Sequence, residues 1–129
     1  MLQHETRADG LLLRLAIAEQ ALSLPSFRDH AAMLTARFSA SRNRGTNVHE
    51  REEARFTLAL LRNPQQALSL AQTNWHVQRE PADARILLES ALAAGNRAAA
   101  QSVLDWLSMN HVDDLHLQQL ANLVQKETR

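Results

Sequence analysis

The sequence predicts an all-α protein, a short right-handed α-solenoid in which about seven helices form antiparallel hairpins that stack on one another. Three glycines and three prolines in 129 residues leave long segments rich in Ala, Leu, Gln, Glu and Arg, which favour helix. Turns of about two to four residues between these segments require neighbouring helices to pack antiparallel. The stretch NPQQALSLA begins at Asn63 and NRAAAQSVL begins 33 residues later at Asn96, and such a fixed period is typical of stacked hairpins.

Helix-start residues divide the first half of the chain. Ser26 with Asp29, and Asn47 with Glu50, have the spacing of capping boxes, in which each side chain accepts a hydrogen bond from a free backbone N–H group. The second and third helices are therefore expected to begin at these boxes. The predicted helices lie near residues 6–23, 26–42, 48–62, 64–79, 82–94, 97–109 and 113–125.

The second half carries sharper boundary signals. Asn63 is predicted as an N-cap, with Pro64 at the first helical position and Gln66 as the capping-box partner. Pro81 should open the next helix in the same way. Three further boundary residues are Gly95, which should end that helix in the left-handed conformation, and Asn96 and Asp113, which should cap the last two helices.

The length of the chain indicates a single domain over residues 1–129, because this number of residues suffices for one hydrophobic core. Within it, the segment SASRNRGTN, residues 39–47, is polar and is predicted to be the one extended loop.

Two segments, EARFTLALLRNPQQALSLAQTNW and ADARILLESALAAGNRAAAQSVLDWL, resemble degenerate tetratricopeptide repeats. Ala67 and Ala100 match the small residue at which the two helices of such a hairpin cross most closely. Together with DGLLLRLAIAEQAL and HEREEARF, the whole chain is similar to the C-terminal part of longer bacterial tetratricopeptide-repeat proteins. The resemblance implies a repeat fold and a protein-binding role.

The two terminal helices differ in where their apolar residues lie. The first predicted helix is apolar on every face, so more than one side needs cover. We expect an upstream hairpin of a longer chain to supply it, or a second copy to form a homodimer through Leu12 and Leu13. The last helix instead has an apolar stripe and a face of Gln and Asn, which suits the end of a solenoid. The stripe of the last helix consists of Leu115, Leu120, Leu123 and Val124.

Charge and composition argue against several classes of partner. The formal net charge is zero, so the sequence gives no electrostatic reason to expect nucleic acid. The one cationic cluster, Arg37, Arg42, Arg44 and Arg51, has no aromatic residue for base stacking and is expected to be a solvated surface. The apolar run GLLLRLAIAEQALSL is too short to insert across a bilayer. The absence of cysteine leaves the compartment open, cytoplasmic or periplasmic.

The sequence carries no motif of catalytic chemistry, and no enzyme activity is expected. The segment HEREE differs by one residue from the zinc-binding pattern HExxH, but it offers only His49 and Glu53, and two ligands do not make a site. No metal and no cofactor is therefore expected. A metal-dependent hydrolase that uses the histidines is the least favoured alternative.

The function that the sequence favours is a non-catalytic module that binds a peptide or a protein surface. In a stack of hairpins the first helices line the concave side, and their polar stripes carry Arg51, Arg55, Arg85 and Glu89. These side chains suit the carboxylates and backbone carbonyls of an extended peptide. Two alternatives stay open: salt bridges of a helix surface for these residues, and for the whole chain a structural cap on a longer repeat protein.

Overall fold

The structure is a computed structural model, and it describes residues 2–44 and 50–126. These ranges contain seven α-helices, one 3₁₀ turn and no β-strand, which confirms the predicted all-α class. The 3₁₀ turn, Ala98–Ala100, leads into the sixth helix. The helices are α1 (Leu2–Ala21), α2 (Phe27–Asn43), α3 (Glu50–Ala59), α4 (Pro64–Val77), α5 (Pro81–Ala94), α6 (Gln101–Met109) and α7 (Leu115–Lys126).

The sharpest boundary signals of the sequence are confirmed. The side-chain oxygen of Asn63 accepts a hydrogen bond from the backbone N–H of Gln66 at 3.2 Å, and Pro64 is the first residue of α4. Pro81 likewise begins α5. Gly95 ends α5 with a φ of 66°, a left-handed conformation that costs glycine little because it has no Cβ.

The predicted capping box at Ser26 is wrong. The Ser26 side chain makes no hydrogen bond to the helix and instead donates to the carboxylate of Glu19 near the end of α1. Nδ1 of His30 lies 2.6 Å from the other carboxylate oxygen. The hydrogen bond from Ser26 lowers the pKa of Glu19 below its ordinary value, against the opposing effect of burial, and His30 acts in the same direction. The second predicted box begins at Asn47, outside the described residues.

Of the two caps predicted near the end of the chain, the one at Asn96 is confirmed and the one at Asp113 is wrong. Asn96 accepts the backbone N–H of Ala99 at 3.2 Å, as expected for a cap. The residue that caps α7 is Asp114 rather than the predicted Asp113, and its carboxylate accepts the N–H of Leu117 at 3.1 Å. Asp113 and Asp114 are adjacent, and either could cap the helix. Asp114 does so because it lies three residues before Leu117, whose N–H group needs an acceptor.

The predicted loop at residues 39–47 is helical in its first part, because α2 continues to Asn43. Ser41 is 3% exposed, and Arg42 forms an ion pair with Glu53 of α3. These contacts hold polar residues in a helix that their composition alone does not favour. Residues 45–49 lie outside the described ranges.

The buried side chains form two hydrophobic cores. The small core joins α1 and α2, and α3 contributes Phe56, whose ring centroid lies 5.4 Å from that of Phe38. The large core joins α3 to α7. Helix α3 belongs to both, since Ala54 on the same helix lies in the large core. The small core consists of Leu13, Ala16, Leu34, Phe38 and Phe56.

Contacts between helices follow a regular order. Helix α1 packs against α2 and α3, and α3 packs against α4 and α5. Helix α5 then contacts α4, α6 and α7, and it packs more extensively on α7 than on α6. Trp75 of α4 and Trp106 of α6 meet edge to face, with ring centroids 5.3 Å apart and planes at 88°. Odd-numbered helices thus contact the next odd-numbered helix along the chain.

Helix α7 is amphipathic, although its buried stripe differs from the predicted one. Leu120 and Val124 are buried as expected, and Leu117 joins them. Leu115 and Leu123 are exposed, at 71% and 48%. The inward face is set by positions 117, 120 and 124, which recur at helical spacing.

Ala67 and Ala100 are both fully buried, as predicted. Their local backbones differ: Ala67 lies in the regular first turns of α4, and Ala100 closes the 3₁₀ turn before α6. At each of these fully buried positions a larger side chain would need space that its surroundings already fill.

Replacement of Ala67 by Leu is expected to lower the free energy of unfolding by about 1–3 kcal/mol, because the added atoms overpack a fully buried position. Urea denaturation measures the change. The same replacement at Ala36, which is exposed on α2, is the control and should alter stability by less than about 0.5 kcal/mol. Equal effects at both positions would contradict close packing at Ala67.

Candidate binding groove

Three odd-numbered helices, α1, α3 and α5, line a groove of about 440 Å³. Three of the four residues predicted to bind a partner, Arg51, Arg55 and Arg85, lie in its wall, and Glu89 pairs with two of them. The lining residues are Gly10, Leu13, Arg14 and Ile17 of α1, Arg51, Glu52, Arg55 and Ala59 of α3, and Ala82, Arg85 and Ile86 of α5.

The sequence brings these side chains together through helical spacing. On each of the three helices the lining residues are separated by one, three or four positions, so they lie on one face. That face is set by the cores, because Leu13 and Ile86 reach from the groove into the small and the large core and are only 4% and 1% exposed. The groove therefore has an apolar floor and an arginine-rich rim.

Glu89 binds two of the rim arginines at once. Its carboxylate lies 2.5 Å from Nη1 of Arg55 on α3 and 2.6 Å from Nε of Arg85, one turn earlier on α5. Burial raises the pKa of Glu89, but the hydrogen bonds and charges of Arg55 and Arg85 outweigh burial and hold it below its ordinary value. Arg55, Arg85 and Glu89 thus form helix-surface salt bridges, the alternative to peptide binding that the sequence left open.

Arg51 contacts a carboxylate that the sequence did not single out. Its Nη1 lies 3.3 Å from Asp83 and 3.2 Å from Glu80. Asp83 is fully buried, and it also accepts hydrogen bonds from the side chain of Asn74 at 2.7 Å and the backbone N–H of Glu80 at 2.9 Å. Its carboxylate joins α3, α4 and α5. The spacing Glu80-Pro81-Ala-Asp83, a capping box around an initial proline, is the sequence signal that could have revealed it.

These carboxylates affect the charge of Arg51 itself. Burial lowers its pKa, but Asp83, Glu52 and Glu80 together raise it above its ordinary value. Arg51 is therefore permanently cationic, and part of its hydrogen-bonding capacity serves the fold.

Arg14 differs from the other rim arginines. It is exposed on α1, and it forms no hydrogen bond or ion pair with any residue in the described part of the chain. Arg85 is also partly available, because its described contact with Glu89 uses only Nε. Arg14 was not among the predicted partner-binding residues, although its spacing from Gly10, Leu13 and Ile17 places it on the groove face.

The predicted oligomer residues Leu12 and Leu13 are not on the open side of α1. Leu13 is 4% exposed in the small core, and Leu12 is partly buried against the same core. Helix α2 packs against α1 at this face, so Leu13 has almost no surface left for a second copy to contact, and Leu12 has only part of its own. The exposed leucines of this segment are Leu11, Leu15, Leu22 and Leu24.

The predicted cationic cluster is dispersed among carboxylates. Arg37 lies 2.6 Å from Asp9 of α1, and Arg42 pairs with Glu53. Glu53, considered above as a metal ligand, thus serves as the partner of an arginine, and His49 lies outside the described residues. Within the described ranges, no three His, Asp or Glu side chains lie close enough to hold a metal ion.

No helix of the described residues is both long and apolar enough to cross a bilayer. Comparisons with known protein families, with curated proteins and with solved structures found no match for the chain. The groove is therefore interpreted from its own chemistry.

The low pKa of Glu89 predicts a pH dependence of stability. A carboxylate whose pKa is lowered in the folded state stabilises that state above its unfolded pKa of about 4.5, and this contribution disappears as the pH falls through the folded value. Glu89→Gln is therefore expected to lower Tm most at neutral pH and progressively less below about pH 4.5.

Thermal unfolding of both proteins between about pH 3 and pH 7 measures this effect. Asp113→Asn, which removes an exposed carboxylate of the turn before α7, is the control for the loss of one negative charge. A constant difference for Glu89→Gln would show that Glu89 does not act through its charge.

Proposed function

We propose that the chain is a non-catalytic protein-interaction module, a short right-handed solenoid of the tetratricopeptide-repeat kind, whose groove binds an extended peptide segment of a partner protein. The observation that carries the proposal is the groove between α1, α3 and α5, because it combines an apolar floor with four arginines at its rim. Pockets that bind ligands are typically apolar with a few polar groups that fix orientation.

Two features support a solenoid. The series of contacts from α1 to α3, α5 and α7 is the order expected when the first helices of successive hairpins stack. In addition, one left-handed residue lies in each turn from α1 to α2, α3 to α4 and α5 to the segment of α6. These residues are Ser23, Arg62 and Gly95, with φ of 57°, 53° and 66°. Each of the three hairpins thus has a left-handed turn residue, and so does the turn from α6 to α7, at His111 with φ of 50°.

A peptide fits the groove better than a compact ligand because the groove is open along three helices. Leu13, Ile17 and Ile86 offer apolar surface for a side chain of the partner. Arg14 and the terminal nitrogens of Arg85 offer N–H donors for carboxylates or backbone carbonyls, and guanidinium groups bind carboxylates in bidentate fashion. No bond-making chemistry is needed for this role.

Selection of random displayed peptides on the wild-type chain, followed by fluorescence anisotropy, tests the proposal. Arg14→Ala should weaken the selected peptides about tenfold, which corresponds to about 1.4 kcal/mol, and should leave Tm unchanged. Arg85→Ala should weaken them as well. Arg28→Ala, an exposed arginine of α2 outside the groove lining, is the matched control.

The proposal fails if no peptide binds, or if the selected peptides bind the wild type and the two groove variants equally well. The second result would place the binding surface elsewhere on the chain.

A second candidate role is a structural cap of a longer repeat protein. Helix α7 favours it, because its exposed residues are mostly polar, with Leu115 and Leu123 as the exceptions, while Leu117, Leu120 and Val124 are buried. The exposed polar residues are Gln118, Gln119, Asn122 and Gln125. If deletion of this domain from a longer parent chain reduced only the stability of the parent and none of its binding, the cap role would be favoured over the groove.

A further inference from the structure

Helix α1 has three faces, and two of them are covered or line the groove. Leu13 and Ala16 face the small core. Gly10, Arg14 and Ile17 lie at the groove. The third face is an apolar stripe, defined as Ala8, Leu11, Leu15, Ala18 and Leu22, and all five residues are exposed.

The stripe presents large apolar side chains to solvent. Leu11, Leu15 and Leu22 are 59%, 47% and 70% exposed, so burial of each would remove a substantial apolar surface area from contact with water. The backbone N–H of Leu22 bonds to the carbonyl of Ala18 at 3.0 Å, which extends the helical geometry to the end of the stripe. Contiguous apolar surface of this kind marks interaction sites.

The spacing of the stripe matches the seam of a two-helix pair. Its residues are separated by three, four, three and four positions, the alternation that keeps one apolar line facing a partner helix. No charged residue lies within the stripe.

We infer that this stripe is a self-association surface on which α1 of a second copy docks antiparallel about a two-fold axis. The inference goes beyond the proposed function, because the stripe lies on a different face of α1 from the groove. In an antiparallel pair, Leu11 lies opposite Leu22 of the other copy, and Leu15 lies opposite Ala18. Each pair of facing residues then contains at least one leucine. In the two central pairs a leucine faces an alanine, so a large side chain packs against a small one.

A parallel pair packs less well. It would place Ala18 opposite Ala18 of the second copy between two layers of paired leucines, which leaves a gap at the centre of the seam. The antiparallel pair matches the segment from Leu11 to Leu22 to itself, while Ala8 lies beyond the paired residues, and the two-fold axis closes the assembly at a dimer. A single helix seam buries less area than a standard interface, so the dimer should be weak, with dissociation in the micromolar range.

Sedimentation velocity from micromolar to millimolar protein tests the surface. The wild type should shift from monomer to dimer as the concentration rises, and Leu22→Glu and Leu15→Glu should remain monomeric. Leu115→Glu is the control, since Leu115 on α7 is 71% exposed, nearly the same as Leu22, and this variant should dimerise like the wild type. A wild type that stays monomeric throughout the range, or a control that dissociates like the stripe variants, would overturn the inference.

Disulfide cross-linking tests the orientation, and the chain is suited to it because it contains no cysteine. Under mild oxidation, a mixture of the Leu11→Cys and Leu22→Cys variants should form mixed dimers faster than either variant cross-links with itself. Faster self-linking of the Leu11→Cys variant alone would indicate a parallel pair and would refute the antiparallel arrangement.

Discussion

Replacement of Asp83 by Ala is expected to lower the free energy of unfolding by about 3 kcal/mol, because removal of this buried carboxylate leaves the side chain of Asn74 and the backbone N–H of Glu80 without their acceptor. Asp83 is fully buried and receives hydrogen bonds from Asn74 and the backbone of Glu80, and it lies 3.3 Å from Arg51. One substitution therefore weakens the contacts of α5 with both α3 and α4.

Chemical denaturation with the slope fitted independently measures the loss. Asp105→Ala is the control, because Asp105 is an exposed carboxylate that accepts one hydrogen bond, from Gln101 on the same helix, and its loss should cost less than about 0.5 kcal/mol. If Asp83→Ala were as mild as this control, the network around Asp83 would not contribute to stability. Asp83→Asn separates the roles of charge and shape, since it keeps the size of the side chain.

Phe56→Ala is expected to cost about 3–5 kcal/mol, the range for a buried aromatic residue whose loss leaves a cavity. Phe56 is 2% exposed, and its ring packs on Phe38 at a tilt of 52°. Because Phe56 is the member of the small core that α3 supplies, its loss should weaken the attachment of α1 and α2 before it affects the large core.

Amide hydrogen exchange distinguishes this local effect from global unfolding. Protection should fall first in α1 and α2, whereas amides of α5 should change less. Phe27→Ala, at a partly buried position at the start of α2, is the matched control and should cost less. Uniform loss of protection in every helix would show instead that the two cores unfold as one unit.

The sequence predicted those features that depend on a few neighbouring residues. Asn63 acts through a side-chain hydrogen bond to a residue three positions away, and Pro64 and Gly95 act through their own backbone, so their roles are readable without knowledge of the fold. The burial of Ala67 and Ala100 was implied by the resemblance of their segments to tetratricopeptide repeats, and both are buried. Arg51, Arg55 and Arg85 were predicted from the polar stripes of the first helices of the hairpins, since helical spacing decides which residues share a face.

What the sequence could not predict depends on contacts between distant residues. Ser26 has an ordinary capping pattern, but Glu19 offers its hydroxyl a stronger, charged acceptor. Leu13 is one of several leucines on a helix that is apolar all round, and only the position of α2 decides which of them is buried. Asp83 looks like a surface residue until Asn74 and Arg51 are brought to it by the packing of α3, α4 and α5.

The two cores have a consequence for how the groove would respond to a ligand. Its α1 wall is anchored in the small core through Leu13, and its α5 wall is anchored in the large core through Ile86. A peptide that grips both walls favours the state in which the two cores are docked, so binding and docking are thermodynamically linked. By reciprocity, a substitution at Phe56 weakens binding although Phe56 does not line the groove, and a bound peptide slows hydrogen exchange in α1 and α2. A bound peptide would then connect α1 to α5 across α3, the helix that belongs to both cores.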